Sequence, residues 1–435
     1  MRTGETAHVS VNSLTLEGEG VARLRDGQAD RAVLVRGAFP GEDAEVRIEA
    51  LSRHHARAHA RLLRIDRPHP ARRAAPCPRH ESQAGRCAGC ALMEVDEPSQ
   101  RDLKRAMLRD RFGLEVAEVI AAPHPLGYRA SSKRVVFAGR ASPFLGSYAH
   151  GGHAAASMTG CLVDHPLLVR AFDAVEAGMR EARVVPYDER RADGDLRYVW
   201  AKTNGHEVIV TLVSAHAESQ VHVLLPRLRE VAAGVLHSVQ PSRGNALRGG
   251  AAELLWGARE VAIRLLGQQV EVGALGFLQP NPEVAELAYR ALVASDDDAP
   301  RGLAFDLYAG AGLTTRALRT MFAEVRPVEA HPESADALGV APEAVEPFLA
   351  RMVDQGGMRP DLVIANPPRK GMGPAVCARL LSLAPTHLRV MSCGPEGLAR
   401  DLEALAPGFA LTSLLAFDTL PQTPHVELVA SLTRR

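Results

Sequence analysis

Long apolar runs are missing from this chain. None approaches the roughly 20 residues needed to cross a bilayer, and the segment MRTGETAHVSVNSLTLEGEG lacks the apolar stretch of a secretory signal. A cytoplasmic protein with no membrane partner is therefore expected. Cysteine is scarce, six in 435 residues, too few for a disulfide scaffold; clustered thiols in a reducing compartment then point to metal or catalysis. Lysine occurs only four times and the formal net charge is zero, so the molecule as a whole carries no mark of a polyanionic partner. Internal repeats and low-complexity tracts are absent as well. What remains is a 46% hydrophobic, 4% aromatic chain long enough for two to four domains, expected as a monomer. Charge is unevenly placed: residues 51–75 hold seven Arg against the single Asp66. That stripe reads either as a phosphate-binding face or as a solvated surface.

The first 65 residues alternate short β-type runs with Gly punctuation, which suggests a small antiparallel barrel of the OB type. Pro68, Pro70 and Pro76 mark a linker, and EPSQRDLKRAMLRDRFGL reads as an amphipathic helix opened by a Ser99 cap. From about 125 to 275 the pattern is strand-rich and mixed, a central α+β region. After the helix PNPEVAELAYRALVAS the pattern becomes regular: strands at DLVIANPP, THLRVMSC and HVELVASLTRR alternate with helices, predicting an α/β domain with a parallel, doubly wound sheet. The expected units are 1–66, 67–275 and 276–435.

Three cysteines lie within CPRHESQAGRCAGC, as C-x9-C-x2-C, at Cys77, Cys87 and Cys90. They look like part of a metal site whose fourth ligand lies elsewhere. Spacing alone favours zinc, although four thiolates suit an iron–sulfur cluster equally.

Four further segments carry chemistry. In FDLYAGAG an apolar strand ends in Asp306, and Gly310 and Gly312 allow a tight turn beneath a ligand such as a dinucleotide or S-adenosylmethionine. Glu329, about twenty residues on, ends the next strand, where a carboxylate can accept from ribose hydroxyls. IANPPRKG places a rigid loop at the carboxyl edge of the sheet; Arg369 stands where an amino-methylating enzyme would carry a stacking aromatic ring. Cys393, in VMSCGPEGLARDL, closes another strand at the same edge and is a candidate nucleophile, whereas Cys377 falls within a helical pattern and reads as core. Glu427 interrupts the apolar run HVELV and is either functional or part of a structural ion pair.

The ordered set GEGVARLRDG, GAFPGE, C-x9-C-x2-C, LGYR, FLQPN, DLYAGAG, NPPRKG, SCGPEGLARDL and PQTPHVE resembles the RNA (uracil-5-)-methyltransferases, in particular the subgroup with an N-terminal TRAM domain and an iron–sulfur cluster. The similarity spans nearly the whole chain. It implies a TRAM domain, a central RNA-binding region and a Rossmann-like methyltransferase domain acting on uridine, with 23S ribosomal RNA ahead of transfer RNA. It also implies a [4Fe-4S] cluster on Cys77, Cys87, Cys90 and Cys161, structural rather than redox-active. Cys393 would add to uracil C6 and Glu427 would take the C5 proton. Gln279, Tyr308, Glu329 and Asn366 would contact S-adenosylmethionine, together with the Asp306, Gly310 and Gly312 turn. Arg129 would touch RNA, and the Arg and His of 51–75 would contact phosphates, making binding salt-dependent.

Two departures from the family pattern stand out. Asn366 occupies the position of an Asp, which would weaken the preference for uracil over cytosine or slow the reaction. The Asn-rich stretch after Glu329 is replaced by LGVAPEAVEPFLA, leaving Glu343 as the stand-in at the adenine end of the pocket. The rival to an enzyme is a catalytically weak RNA-binding protein.

Overall fold

In a computed structural model, which describes residues 1–26, 29–83, 85–244, 249–294 and 301–435, the chain opens with five strands. These are β1 (Thr6–Leu14), β2 (Glu19–Asp26), β3 (Ala29–Arg36), β4 (Asp43–Leu51) and β5 (Arg57–Arg67). They close into a barrel in the order β1-β2-β3-β5-β4, with β3 and β5 parallel. Alternation puts Val9, Val11, Val33, Val35, Val46 and Ile48 inside, and closure leaves no unpaired strand edge.

The basic stripe is not a bare phosphate-binding face. Arg61 pairs with Glu49, Arg64 with Glu45 and Asp66, Arg67 with Asp43, Arg72 with Glu42 and Arg73 with Glu97. Sequence counting missed this because the balancing acids lie mostly on the neighbouring strand or farther along the chain.

Helix α1 (Glu97–Phe112) is capped by Asp96, whose carboxylate accepts from the Ser99 N–H; the expected Ser99 cap therefore lies three residues inside the structure's own cap. A short strand, β6 (Val119–Ile120), follows. The central sheet is built from β7 (Ser131–Phe137), β8 (Phe144–Tyr148), β9 (Ala155–Ser157), β10 (Leu196–Thr203), β11 (Val208–Ser214), β12 (Gly234–Val239) and β13 (Glu253–Gly257), ordered β13-β12-β11-β10-β7-β8-β9. Helices α2 (Pro166–Glu181) and α3 (Leu225–Leu228) cover one face through Phe172, Val175 and Leu228. A hairpin of β14 (Glu260–Leu265) and β15 (Gln268–Gly273) packs on part of the other.

The last sheet contains β16 (Leu303–Leu307), β17 (Glu324–Val328), β18 (Leu362–Ala365), β19 (His387–Ser392), β20 (Phe409–Phe417) and β21 (Glu427–Arg434), in the order β17-β16-β18-β19-β21-β20-β6. Helices α4 (Pro282–Val293), α5 (Leu313–Leu318), α6 (Pro332–Leu338), α7 (Val345–Gln355), α8 (Pro374–Leu383) and α9 (Pro395–Leu405) alternate with the strands and fill cores on both faces. Strands β17, β16, β18 and β19 run parallel, β21 enters antiparallel between β19 and β20, and β20 pairs parallel with β6. The purely parallel expectation is corrected there. Residues 97–120, expected in the central region, pack with this sheet: Leu108, Leu114, Val116 and Val119 share its core and β6 adds to its edge. No helix among the described residues is long and apolar enough to cross a membrane.

Helix α1 also grips the loop between β20 and β21. Lys104 is fully buried; its ammonium donates to Asp418 and to the carbonyls of Leu420 and His425. One turn earlier, Gln100 exchanges hydrogen bonds with the side chain and the backbone N–H of Gln422, itself in a left-handed conformation at φ 70°. Removing Lys104 strands a carboxylate in the interior, so Lys104→Ala is expected to cost about 3–5 kcal/mol in urea unfolding. An apolar replacement of both Lys104 and Asp418 is expected to cost less than the single change.

Candidate active site

The carboxyl edge of the last sheet gathers the chemistry-bearing motifs. Moving from β17 across β16, β18 and β19 to β21, successive strand ends present Glu329, Tyr308, Asn366, Cys393 and Glu427. At strand spacings of about 4.8 Å this row extends for about 19 Å. Because β21 runs antiparallel, its first residue, Glu427, lies at the edge where the parallel strands finish.

At one end of the row the glycine turn is tightly pinned. Glu329 accepts from Gly310 N at 2.8 Å and from His331 N at 2.7 Å. Tyr308 takes φ 61°, a left-handed backbone costly for a side chain this large, and burial pushes its phenol up to about 12. Gly312 has φ 82°, and a Cβ there would meet Leu338 at 2.3 Å. Asp306 does not face the cleft as expected. It is buried beneath α5 and accepts from Thr314 at 2.8 Å and Thr315 at 2.6 Å, tying the strand to the helix; burial raises it to about 6 despite both hydroxyls. Glu343, the stand-in carboxylate, is held by Arg351 at 2.6 Å, while its N–H donates to the Glu329 carbonyl.

At the other end, the Pro-Pro-Arg loop lies directly on the start of α9. A Cβ on Gly394 would meet the Arg369 carbonyl oxygen at 2.0 Å, so only glycine admits this contact. Asp401 holds the loop from below, accepting from Met372 N at 2.7 Å and Gly373 N at 3.1 Å. Cys377 is buried beside Asp401, as its core reading anticipated.

Cys393 is exposed at the cleft, where partial burial and the Glu427 carboxylate push its thiol up. The positive charge of the Arg369 guanidinium beside it acts in the opposite direction. Glu427 is buried and raised to about 8 by that burial, again opposed by Arg369. Gln279 donates to the Tyr289 hydroxyl at 3.5 Å, and Tyr289 feels the charge of Glu427. The cluster is thus a thiol, a carboxyl and a guanidinium, with Gln279 and Tyr289 alongside. Arg369 and Tyr289 were not anticipated; the position of Arg369 directly after the Pro-Pro step, at a ligand-binding edge, was the available signal.

Arg129 turns toward Asp164 at 3.9 Å and sits within charge range of Cys161 and Cys90. It also lines a cavity of about 480 Å³ with Lys133, Trp200 and Phe277. Cys77, Cys90 and Cys161 pack in one apolar cluster with Tyr128 and Leu420, and Cys87 is near enough to Cys77 and Cys90 to interact with both. Burial pushes the thiols of Cys87, Cys90 and Cys161 up. Among the described residues, no three His, Cys, Asp or Glu side chains are gathered to hold a metal ion.

Residues 2–60 match the TRAM domain family. An uncharacterized RNA methyltransferase of Gloeobacter violaceus is 30% identical over 99% of this chain and 97% of its own length. The chain belongs to the RNA methyltransferase family. A second such methyltransferase, from Geobacter sulfurreducens, is 29% identical over 100% of this chain and 91% of its own. The fold of this methyltransferase is shared with Pyrococcus abyssi tRNA (uracil-54, C5)-methyltransferase, solved with S-adenosyl-L-homocysteine: TM-score 0.73, 21% identity, 98% of this chain and 100% of that one.

The Glu427 carboxyl gives the methyltransferase a signature in its stability. Below the unfolded value near 4.5 the carboxyl is protonated in both states and contributes no pH dependence. As pH rises from 4.5 to about 8 the unfolded chain ionises freely while the fold resists, so stability falls across that window. Glu427→Gln is expected to flatten this fall and to unfold at higher urea than the unaltered protein at pH 8, as measured by parallel urea titrations at pH 5 and 8.

Proposed function

We propose that this enzyme methylates C5 of a uridine in RNA, through a transient bond between Cys393 and C6 of the base. The observation that carries the reading is the meeting of Cys393, Arg369 and Glu427 at the carboxyl edge. C5 of uracil is a weak nucleophile. Addition of the Cys393 thiolate to C6 moves an electron pair onto O4, and the resulting enolate makes C5 nucleophilic. Bound S-adenosylmethionine supplies the electrophilic methyl group, with Gln279, Tyr308, Glu329, Asn366 and the Gly310–Gly312 turn assigned to hold it. Glu427 then takes the proton from C5, the C5–C6 double bond re-forms, and the sulfur leaves as thiolate.

Arg369 favours the thiolate and would stabilise it during addition and departure. A neutral Glu427 beside that thiolate spares the site two adjacent anions. Once the sulfur is bonded to carbon, its charge has moved into the base and ionisation of Glu427 to solvent becomes easier. The rate is therefore expected to rise with pH through about 8. A base at this edge must be unstacked and flipped to reach the sulfur.

Ribosomal RNA is our first choice of substrate. Nucleoside mass spectrometry after incubation with S-adenosylmethionine and unmodified ribosomal or transfer RNA tests the reading. 5-Methyluridine in the ribosomal pool, absent with Cys393→Ala, is expected. 5-Methyluridine in transfer RNA moves the substrate, 5-methylcytidine makes Asn366 the base-selecting residue, and no product from folded protein refutes the reading.

Cys77, Cys90 and Cys161 share one apolar cluster with Cys87 within charge range, and four thiolates suit a [4Fe-4S] cluster by donor type. It would cross-link the cysteine loop to the Cys161 loop without entering the reaction. Anaerobically purified protein is expected to carry about four irons per chain, and Cys90→Ser to lose them; zinc or no metal in that preparation refutes the assignment.

A further inference from the structure

The reaction proposed above leaves one proton without a route. Glu427 takes it from C5, yet Glu427 is only 7% exposed at the start of β21, and a base seated on Cys393 covers the cleft side. Burial makes the carboxyl hold its proton up to about 8, and it must shed that proton before the next turnover. The groups around it are poorly suited to accept. A guanidinium has no lone pair to offer, which excludes Arg369. Cys393 has to be a thiolate again for the next addition, so a proton passed to its sulfur still needs an exit. Tyr289 already carries a proton, and burial pushes its phenol up.

His425 stands two residues ahead of Glu427. Along β21 the side chains alternate: Val426, Leu428, Ala430 and Leu432 enter one core, whereas Val429 enters the core on the other face. The same alternation puts His425 and Glu427 together on the side opposite Val426. Both also feel the charge of Arg369. Their Cα atoms are about 6.7 Å apart, a gap that the two side chains close directly or through one water.

The backbone of His425 is pinned while its ring is not. Its N–H donates to the Thr423 hydroxyl at 3.3 Å and its carbonyl accepts from Lys104 at 3.1 Å. The half-buried ring makes no hydrogen bond among the described residues. Burial lowers its hold on a proton; Arg369 beside it, Lys104 of α1 and Arg129 ahead of β7 lower it further, against Glu17 of the barrel. A neutral imidazole keeps one nitrogen lone pair ready to accept.

We propose that His425 is the proton relay of this site, taking from Glu427 the proton removed from C5 and passing it to water. The imidazole lone pair forms an N–H bond as the O–H bond of Glu427 breaks and leaves its electrons on the carboxylate. The imidazolium then gives a proton to solvent and is neutral again. Entry into the ring is uphill, and the cations that make it so also favour the release. The relay presupposes the uridine methylation proposed above.

The test uses the full-length protein, S-adenosylmethionine and the RNA that it methylates. His425→Ala and His425→Gln are each expected to lower kcat about tenfold or more, while KM for both substrates stays within about twofold. Stalled ahead of elimination, both variants accumulate a methylated protein–RNA adduct that survives a denaturing gel, and forming it shows that the site is folded. Added imidazole is expected to restore His425→Ala in proportion to its free-base concentration and to leave His425→Gln, whose side chain fills the gap, unchanged. Unaltered kcat in both variants overturns the relay. So does a loss of kcat, in protein that still binds S-adenosylmethionine, that lacks either the adduct or the rescue. Absence of product and adduct from the unaltered protein refutes the function itself, and the relay with it.

Discussion

A lysine buried without water must be given several acceptors at once, and Lys104 finds them in a loop more than three hundred residues away. That requirement joins the first long helix to the loop that delivers Glu427. The Gln100–Gln422 exchange fixes the same loop one helical turn earlier, Tyr128 donates to the Pro421 carbonyl, and a Cβ on Gly18 of the barrel would strike Ala91 at 2.3 Å and Pro424 at 3.3 Å. Barrel, cysteine loop, α1 and the LGYR segment thus converge on residues 418–425. Their packing sets where β21 begins, and the start of β21 is the carboxyl group of the site.

The chemistry at that point is a balance of opposing effects. Burial disfavours charge on both the carboxyl and the thiol, while one guanidinium favours it on both. Arg369 reaches this position because Gly394 has no side chain to hold its carbonyl away. The sequence neighbours of Cys393 therefore act partly as spacers. Their effect is to let a second loop supply the cation.

Much of this was legible in the chain itself. The barrel followed from short alternating runs, and the edge positions of Glu329, Asn366 and Cys393 followed from apolar strands that stop at Gly- or Pro-rich turns. Less local features were not. Strand Val119–Ile120 has two residues and no pattern to betray its pairing with β20. The antiparallel entry of β21 depends on the loop held by Lys104, whose burial an amphipathic pattern does not announce. Asp306 looked like a ligand because it ends a strand before two glycines; two threonines, eight and nine residues on, occupy it instead. The metal expectation rests on four thiols of which three share an apolar cluster, and among the described residues no three ligands are gathered for a metal ion.

The paired arginines of β5 and its continuation bear on how such a protein holds a polyanion. When a side chain already has a carboxylate against it, docking a phosphate there trades one ion pair for another and releases few small ions from the nucleic acid's atmosphere. Entropy of ion release then contributes little at that face. Discrimination has to come from fitted shape and from faces that stack, which change little with ionic strength.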